Sequence, residues 1–234
     1  MNRNTPPQRS GASEQTMERA LDLLTHETGL TLNDNTRQRL ATFAALIRAW
    51  NHRCGLVSNG DLAALETNHI VDALSLVPYA LRFAGEKGQT LDIGSGGGFP
   101  MIPMKCALPG LTCTLVERNA RKVGFLHRAV AALGLDNIAI VHGSFPDATA
   151  SIADIITARA VERPDRIVPA IATHMPPGCV FLCQNDAAAT LPAQTFHVEQ
   201  IADQWQTAGL RRGVLFLVAH KCQQIESAPR KPNL

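Results

Sequence analysis

The chain has 234 residues, of which 45% are hydrophobic and 18% are charged, and its formal net charge is +2. This composition is typical of a globular protein with one α/β domain and an extension, and it excludes a largely disordered chain. The small net charge argues against tight, indiscriminate binding to nucleic acid, because such binding grows with the number of phosphates that are neutralised.

The sequence favours a cytoplasmic protein without a membrane span or a metal site. No apolar run approaches the thickness of a bilayer, and residues 1–12 lack the apolar core of a secretion signal. We therefore expect the six cysteines to be reduced, with Cys179 and Cys183 as core thiols. The eight histidines show no His-x-x-x-His spacing, so we expect no metal.

The first third of the chain is predicted to be helical. We expect disordered tails at 1–12 and 226–234, an N-terminal helical extension over 13–88 and an α/β domain over 89–225. In the first helix, apolar residues recur at positions i, i+3, i+7 and i+10 behind capping-type residues at 33–35, namely Leu40, Phe43, Ile47 and Trp50. Asp61 is predicted to cap a second helix that carries Leu62, Leu65, Val71 and Leu74.

From residue 90 onward, short apolar runs alternate with helical segments, which predicts a doubly wound, mostly parallel sheet. The predicted strands are 90–93, 112–117, 137–142, 154–158, 179–184 and 213–220. In such a sheet, ligands bind beyond the carboxyl ends of the strands. The segments that we expect at this edge are Gly94 to Phe99, Glu117, 142–147 and Ala158-Arg159.

The loop after the first predicted strand is rich in glycine. Asp92 is followed by Gly94, Gly96 and Gly98. The dinucleotide fingerprint needs glycines at i, i+2 and i+5, and the third position is Phe99 when counted from Gly94 and Met101 when counted from Gly96, so neither register fits. The phosphate loop is excluded too, since Phe99 stands where a lysine is required. The remaining pattern, Asp-x-Gly-x-Gly-x-Gly, resembles the first motif of S-adenosylmethionine-dependent methyltransferases, and the alternative is a glycine-rich turn without a ligand.

Glu117 lies at the end of the second predicted strand, 23 residues after Gly94. This spacing is close to that at which a carboxylate accepts hydrogen bonds from a ribose diol. Glu117 is therefore our candidate ribose ligand. The alternative is a solvated carboxylate that opens the next helix, where the helix dipole favours it.

Basic residues cluster beside this edge of the sheet. Arg118, Arg121 and Lys122 follow Glu117, and Arg163 follows the fourth predicted strand together with Arg166. Such clusters contact phosphates in RNA-binding proteins, although they are often only solvated surfaces.

Several stretches together resemble the bacterial ribosomal RNA small subunit methyltransferase G family, also called glucose-inhibited division protein B. They include Trp50-Asn51, Leu56-Val57-Ser58, His69-Ile70, the glycine loop with Phe99-Pro100-Met101-Ile102-Pro103, Arg121-Lys122, and Thr157-Ala158-Arg159-Ala160. The resemblance implies a seven-stranded, Rossmann-like methyltransferase sheet with an N-terminal helical extension. It also implies methylation of guanine N7 in 16S rRNA by S-adenosylmethionine, with the small ribosomal subunit or its RNA as partner, and we expect a monomer.

The same resemblance assigns roles to individual residues. It implies cofactor binding by Gly94, Phe99, Arg159 and the pair Phe145-Pro146, to which the glycine motif and the ribose spacing add Asp92, Gly96, Gly98 and Glu117. Arg159 is also our candidate catalytic residue, which would orient the base or a nearby phosphate. The alternative for Arg159 is a structural ion pair with Glu117 or Asp92. RNA contacts are predicted at Arg118, Arg121, Lys122 and Arg163.

Four positions depart from the family pattern. Gly55 replaces an asparagine, Asn68 an arginine, Ser144 an arginine and Gln184 a lysine. The lost cations leave two other functions open, namely methylation of a small molecule with the helical third as a lid, and binding of the cofactor or RNA without catalysis.

Overall fold

The computed structural model describes residues 11–147 and 153–221, and the N-terminal part of this range is helical. The helical elements are α1 (Gly11–Thr28), α2 (Asp34–Cys54), a 3-10 turn (Asn59–Asp61), a π-helical turn (Glu66–Val71), α3 (Asp72–Leu74) and α4 (Val77–Phe83). Helix α2 begins where predicted, because the Asn33 side chain accepts a hydrogen bond from the Thr36 N–H at 2.9 Å. It ends at Gly55, which has the left-handed conformation. The predicted N-terminal tail, 1–12, overlaps the start of α1 at residues 11 and 12; the rest of it, the predicted tail at 226–234 and Cys222 lie outside the described residues.

The prediction that Asp61 caps a second helix is wrong. Asp61 ends the 3-10 turn, and the cap of that turn is Ser58, whose hydroxyl accepts from the Asp61 N–H at 3.2 Å. The Asp61 carboxylate instead accepts from Arg212 at 2.5 Å and from Asn68 at 2.9 Å. The Ser58 hydroxyl donates to the other carboxylate oxygen at 2.7 Å, so a local hydrogen bond and a long-range ion pair together hold this side chain.

The rest of the described chain forms a seven-stranded sheet with flanking helices. Its elements are β1 (Gln89–Ile93), α5 (Met101–Ala107), β2 (Thr112–Glu117), α6 (Ala120–Leu133), β3 (Ile138–His142), β4 (Ile155–Arg159), α7 (Pro164–His174), β5 (Val180–Gln184), a 3-10 turn (Asp186–Thr190), β6 (Phe196–Gln200), α8 (Gln204–Thr207) and β7 (Phe216–His220). The strand order is β3-β2-β1-β4-β5-β7-β6, and in the described sheet β7 runs opposite to the other six strands, so that its pairings with β5 and β6 are antiparallel.

The doubly wound, mostly parallel fold is confirmed, together with the seven strands that the family resemblance implied. The sequence pattern alone had missed β6 and had begun the last strand three residues early. The direction of the strand order reverses between β1 and β4, which are paired in parallel. In open α/β sheets this reversal opens a crevice beyond the carboxyl ends of the strands.

Apolar side chains cover both faces of the sheet. On one face, the helical N-terminal part packs with α5 and α6 in one continuous core that contains Phe43, Leu74, Met101 and Leu126. The second core lies on the other face, where α7 packs against β4 and β5. The N-terminal helices are thus part of the main core. None of the described helices has the length and apolar character needed to cross a membrane.

Candidate functional site

A cavity of about 940 Å³ opens at the carboxyl edge of the sheet, where the strand order reverses. The loops after β1, β2, β3 and β4 line it, as the sequence predicted for this edge. Its remaining wall comes from Gly55–Ser58, Asp61 and His69 of the helical part. The volume lies within the range of about 300 to 1,000 Å³ that is usual for small-molecule sites.

The glycine loop lines the cavity with backbone at Gly94 and Gly96. The N–H of Gly96 points at Glu117 and donates to its Oε2 at 2.8 Å. Gly96 has a φ of +54°, and a Cβ there would meet no atom closer than 3.7 Å, so this position is open toward a ligand. Gly98 differs, because it is not part of the cavity wall and a Cβ there would lie 2.5 Å from Ile102 Cδ1. Gly98 therefore permits close packing beneath the loop.

Glu117 lies in the cavity wall at the end of β2 and is only 6% exposed. One carboxylate oxygen accepts from Gly96 N, and the other accepts from the N–H of Asn119 at 2.7 Å. Two backbone donors therefore hold the carboxylate in one orientation. Each oxygen keeps a further lone pair for a ligand hydroxyl.

Asp92 supports the loop from below and does not line the cavity. Its carboxyl is 1% exposed, and Oδ1 accepts from the Thr157 hydroxyl at 2.6 Å. Burial raises the pKa of Asp92 to about 6, although the hydrogen bonds from Thr157 and Ser95 oppose the rise. Oδ2 has no hydrogen-bond partner among the described residues.

Arg159 ends β4 and connects the sheet to the helical part. Its Nη2 donates to the carbonyl of Asn68 at 3.1 Å and to Nδ1 of His69 at 2.8 Å. Nη1 lies 3.3 Å from Asp72 Oδ2, so the ion pair of Arg159 is with Asp72 and not with Glu117 or Asp92. Nη1 has no hydrogen-bond partner among the described residues, although Arg159 lines the cavity. Burial lowers the pKa of Arg159, and Asp72 opposes this effect.

His69 is a cavity residue to which the sequence analysis gave no role beyond family resemblance. Burial, followed by the nearby charge of Arg159, lowers its pKa to about 4, so the ring is neutral near pH 7. Since Nδ1 accepts from Arg159, the proton belongs on Nε2, which lies 3.6 Å from Asp61 Oδ2. The ring also packs against Phe99 with a centroid distance of 5.0 Å. No local signal reveals this arrangement, because His69 and Arg159 are 90 residues apart.

Two of the four residues that depart from the family pattern, Asn68 and Gln184, donate hydrogen bonds to carboxylates near Arg159. Gln184 donates to Asp72 Oδ2 at 3.0 Å, and Asn68 donates to Asp61 Oδ1 at 2.9 Å. Neutral amides thus donate to carboxylates that Arg159 and Arg212 also approach. The other two departures, Gly55 and Ser144, lie in the cavity wall.

The remaining predicted residues are divided between the cavity and the outer surface. After β3, Phe145 lines the cavity and Pro146 does not. Arg118, Lys122 and Arg163 line its mouth, and Arg118 pairs there with Glu162. Arg121 is exposed on α6 outside the wall. The described residues contain no group of His, Cys, Asp or Glu side chains that could hold a metal ion.

Comparison with known proteins identifies the family. The family model for rRNA small subunit methyltransferase G matches residues 36–193. Two curated proteins of that name are similar, one from Neisseria meningitidis serogroup C (38% identical over 133 residues, 56% of this chain and 62% of that protein) and one from Marinobacter nauticus (35% over 118 residues, 50% and 53%). The chain thus spans less than two thirds of the length of the relatives that it matches.

A solved structure supports the fold alone. The crystal structure of MtNAS in complex with MTA and tNA has a TM-score of 0.53 and 14% identity, and the match covers 92% of this chain and 78% of that one. The family-model match extends over more than half of the chain, including the glycine loop, Glu117 and Arg159. The chain belongs to the rRNA small subunit methyltransferase G family.

Proposed function

We propose that this protein transfers a methyl group from S-adenosylmethionine to N7 of a guanine in 16S rRNA. The observation that carries the proposal is the Glu117 carboxylate, which two backbone N–H groups orient at the wall of a cavity at the strand-order reversal. This is the acceptor that a ribose diol requires, and it is bound to a glycine loop that lacks the lysine needed for a nucleotide phosphate.

The described residues fit a nucleoside cofactor without phosphates. Glu117 would accept from the ribose hydroxyls, while Gly94 and Gly96 would let the backbone approach the ligand closely. Phe99 and Phe145 would supply apolar contact at the cavity wall. When bound, S-adenosylmethionine would supply an electrophilic methyl group. Asp92 and Gly98 would act indirectly, by holding the loop from beneath.

Methylation at guanine N7 requires no general base, because this atom carries a lone pair and no proton. The site agrees with that requirement. His69 is neutral, but its Nδ1 already accepts from Arg159, and none of the described residues that line the cavity is a cysteine. The contribution of the protein would be to position the base, an effect that can supply about 7 to 11 kcal/mol.

Arg159 is the residue that we propose to orient the base. Its Nη2 is held by Asn68 and His69, whereas Nη1 has no hydrogen-bond partner among the described residues. Nη1 itself is buried beside Asp72, but 14% of the Arg159 side chain is exposed and the residue lines the cavity, so its cationic group would face an acceptor on the substrate, such as guanine O6. This would make Arg159 a catalytic residue that also packs the helical part against the sheet.

The RNA would approach over the basic mouth of the cavity. Arg118, Lys122 and Arg163 lie there, and Arg121 is exposed nearby on α6. Contacts from these side chains to phosphates would position the RNA without reading its sequence. Such a substrate would place the activity in the cytoplasm.

The test is the nucleoside content of 16S rRNA from cells that lack this protein. We expect mass spectrometry to show the loss of one N7-methylguanosine, which the wild-type gene restores and the Glu117→Ala gene does not. A matched control is Glu162→Ala, which removes an exposed carboxylate from the same cavity wall. An unchanged N7-methylguanosine content in the deletion strain contradicts the proposal.

The departures from the family pattern favour one other function, namely cofactor or RNA binding without methyl transfer. Asn68 and Gln184 stand where the family has cations, and their amides are engaged with Asp61 and Asp72. Purified protein that binds S-adenosylmethionine in calorimetry, but transfers no methyl group to naked rRNA or to small subunits from the deletion strain, would favour this alternative.

A further inference from the structure

A tryptophan and two arginines form a cluster on the outside of the junction between α2 and α6. The guanidinium carbon of Arg128 lies 4.5 Å from the centroid of the Trp50 ring, and that of Arg53 lies 5.3 Å from it. Trp50 is half-buried, whereas both arginines are exposed. We call these three residues the arginine–tryptophan cluster.

The two arginines of the cluster keep their charges available. Over residues 11–147 and 153–221, no carboxylate lies within ion-pair distance of either, whereas Arg37, Arg118 and Arg212 each pair with one. The hydrogen bond found for Arg53 joins its Nε to Nε2 of His52 at 3.1 Å. Stacking on the ring restricts each guanidinium, yet it leaves the in-plane N–H donors free for an anion.

The cluster is continuous with the mouth of the cavity. Helix α2 ends at Cys54, whose Sγ lies 3.7 Å from the carbonyl oxygen of Arg121, and the next residue, Gly55, lines the cavity. On α6, Arg121 and Arg128 are seven residues apart and so share one helical face, about 10 Å along the axis. One basic surface thus runs from the cavity mouth past Arg121 to Trp50.

We propose that the arginine–tryptophan cluster binds the phosphodiester backbone of the rRNA that flanks the methylated nucleotide. The inference rests on the proposed function and extends the RNA contacts from the methyltransferase sheet onto the N-terminal helices. Charge complementarity supports the proposal. The guanidiniums of Arg53 and Arg128 have no carboxylate partner among the described residues, and with the nearby cations Arg121 and Lys122 they form a positive surface that matches a polyanion. Arginine held on an aromatic ring binds phosphate with little further loss of side-chain freedom. These contacts would position the RNA without selecting its sequence.

The experiment compares the Arg53→Gln/Arg128→Gln double variant with the wild-type protein. The control is Arg82→Gln, since Arg82 also stacks on an aromatic ring, Phe83, at 4.8 Å. It lies at the end of α4, just before the amino end of β1, and thus away from the carboxyl edge of the sheet. RNA affinity is measured against salt concentration with one single-stranded fragment of 16S rRNA for all variants, methylation of 16S rRNA is assayed separately, and S-adenosylmethionine affinity is measured by calorimetry.

Loss of two phosphate contacts to a single strand should make the negative slope of log K against log salt shallower by about 1.4. The ratio of wild-type to variant affinity should then fall about sevenfold between about 50 and about 200 mM salt. The affinity of the double variant for S-adenosylmethionine should equal that of the wild-type protein. The Arg82→Gln control should keep the wild-type RNA affinity and salt slope. Trp50→Ala should reproduce part of the effect, and Trp50→Phe should reproduce less of it because a ring remains.

Two results separate this inference from the proposed function. If the wild-type protein methylates rRNA and the double variant keeps the wild-type salt slope, the cluster only joins two helices and the inference is wrong. If the wild-type protein methylates no ribosomal RNA, the proposed function fails. The salt slopes of RNA binding, measured with and without the two arginines, then still decide for or against the cluster.

Discussion

Replacing Glu117 by alanine removes the acceptor on which the cofactor assignment depends. The side chain is 6% exposed, and its two oxygens lie 2.8 Å from the nitrogen of Gly96 and 2.7 Å from that of Asn119. Alanine would leave both N–H groups without this partner and would leave the ribose hydroxyls facing apolar surface. The variant should therefore bind S-adenosylmethionine more weakly even if its fold is intact.

The magnitude follows from the cost of burying polar groups without a partner. Leaving buried hydroxyls without an acceptor costs about 1 to 3 kcal/mol, because their hydration is lost and not replaced. The dissociation constant should rise roughly 5- to 150-fold. Glu117→Gln should fall between wild type and alanine, since an amide keeps one acceptor oxygen but turns a donor toward one of the two backbone N–H groups.

Isothermal titration calorimetry with S-adenosylmethionine measures the effect, and thermal unfolding without cofactor shows whether the loop has loosened. Glu162→Ala is the matched control, because Glu162 also belongs to the cavity wall but its side chain is 78% exposed and pairs with Arg118. Wild-type affinity in Glu117→Ala would refute the ribose assignment. An equal loss in both variants would show that the effect depends on the negative charge at the cavity and not on a ribose acceptor at Glu117.

Three further predictions concern the loop, its support and the RNA surface. Gly98→Ala should lower the free energy of unfolding by about 1 to 3 kcal/mol, since its Cβ would lie 2.5 Å from Ile102 Cδ1. Gly96→Ala has no such clash and costs only the strain of a positive φ, about 1 to 2 kcal/mol, but it should also weaken cofactor binding in calorimetry. Because burial raises the pKa of Asp92 to about 6, the folded state binds this proton more tightly than the unfolded chain, and the contribution of Asp92 to stability falls as the pH rises from about 4 to about 6. Asp92→Asn removes that decline, so between pH 4 and pH 7 its free energy of unfolding in urea denaturation should rise by roughly 3 kcal/mol relative to that of the wild type. If the free energies of the two proteins instead change in parallel with pH, Asp92 does not titrate in this range. Arg121→Ala should weaken RNA binding and make the negative slope of log K against log salt shallower by about 0.7. An unchanged slope would indicate that Arg121 is solvated and contacts no phosphate.

The parts of the fold that the sequence predicted are those with strong local signals. The first five strands were predicted to within one residue at each end, because each is a short, mostly apolar run between turns, even the edge strand β3 in which no residue is fully buried. Strand β6, at the other edge, was missed since polar residues make up most of it and only Phe196 is fully buried. Its composition, Phe-His-Val-Glu-Gln, does not differ enough from that of an exposed loop.

The candidate site likewise has a part that local sequence signals predict, the glycine loop with Glu117, and a part that they do not, the contacts of Arg159. The glycine loop and Glu117 could be predicted to lie together, because the carboxyl ends of adjacent parallel strands must share one edge. The contacts of Arg159 with Asp72 and His69 could not, since they join residues about 90 positions apart through helices with no fixed relation to the sheet. The alternative that paired Arg159 with Glu117 or Asp92 had considered only residues of the sheet edge.

The helical part is a wall of the site, and two of the four departures from the family pattern, Gly55 and Asn68, lie in it. Asn51 accepts from the N–H groups of Leu56 and Val57 at 2.8 and 2.9 Å and so holds the segment that lines the cavity. A Cβ on Gly97 would lie 3.2 Å from Leu56, so the glycine loop packs directly against that segment. A substitution that moves the segment at Leu56 therefore also displaces the glycine loop, because the two are in direct contact. Because the sheet edge supplies the cofactor contacts in the proposed function, selection among substrates falls to the wall formed by the helical part, while the basic surface that continues from it would hold RNA without selecting its sequence.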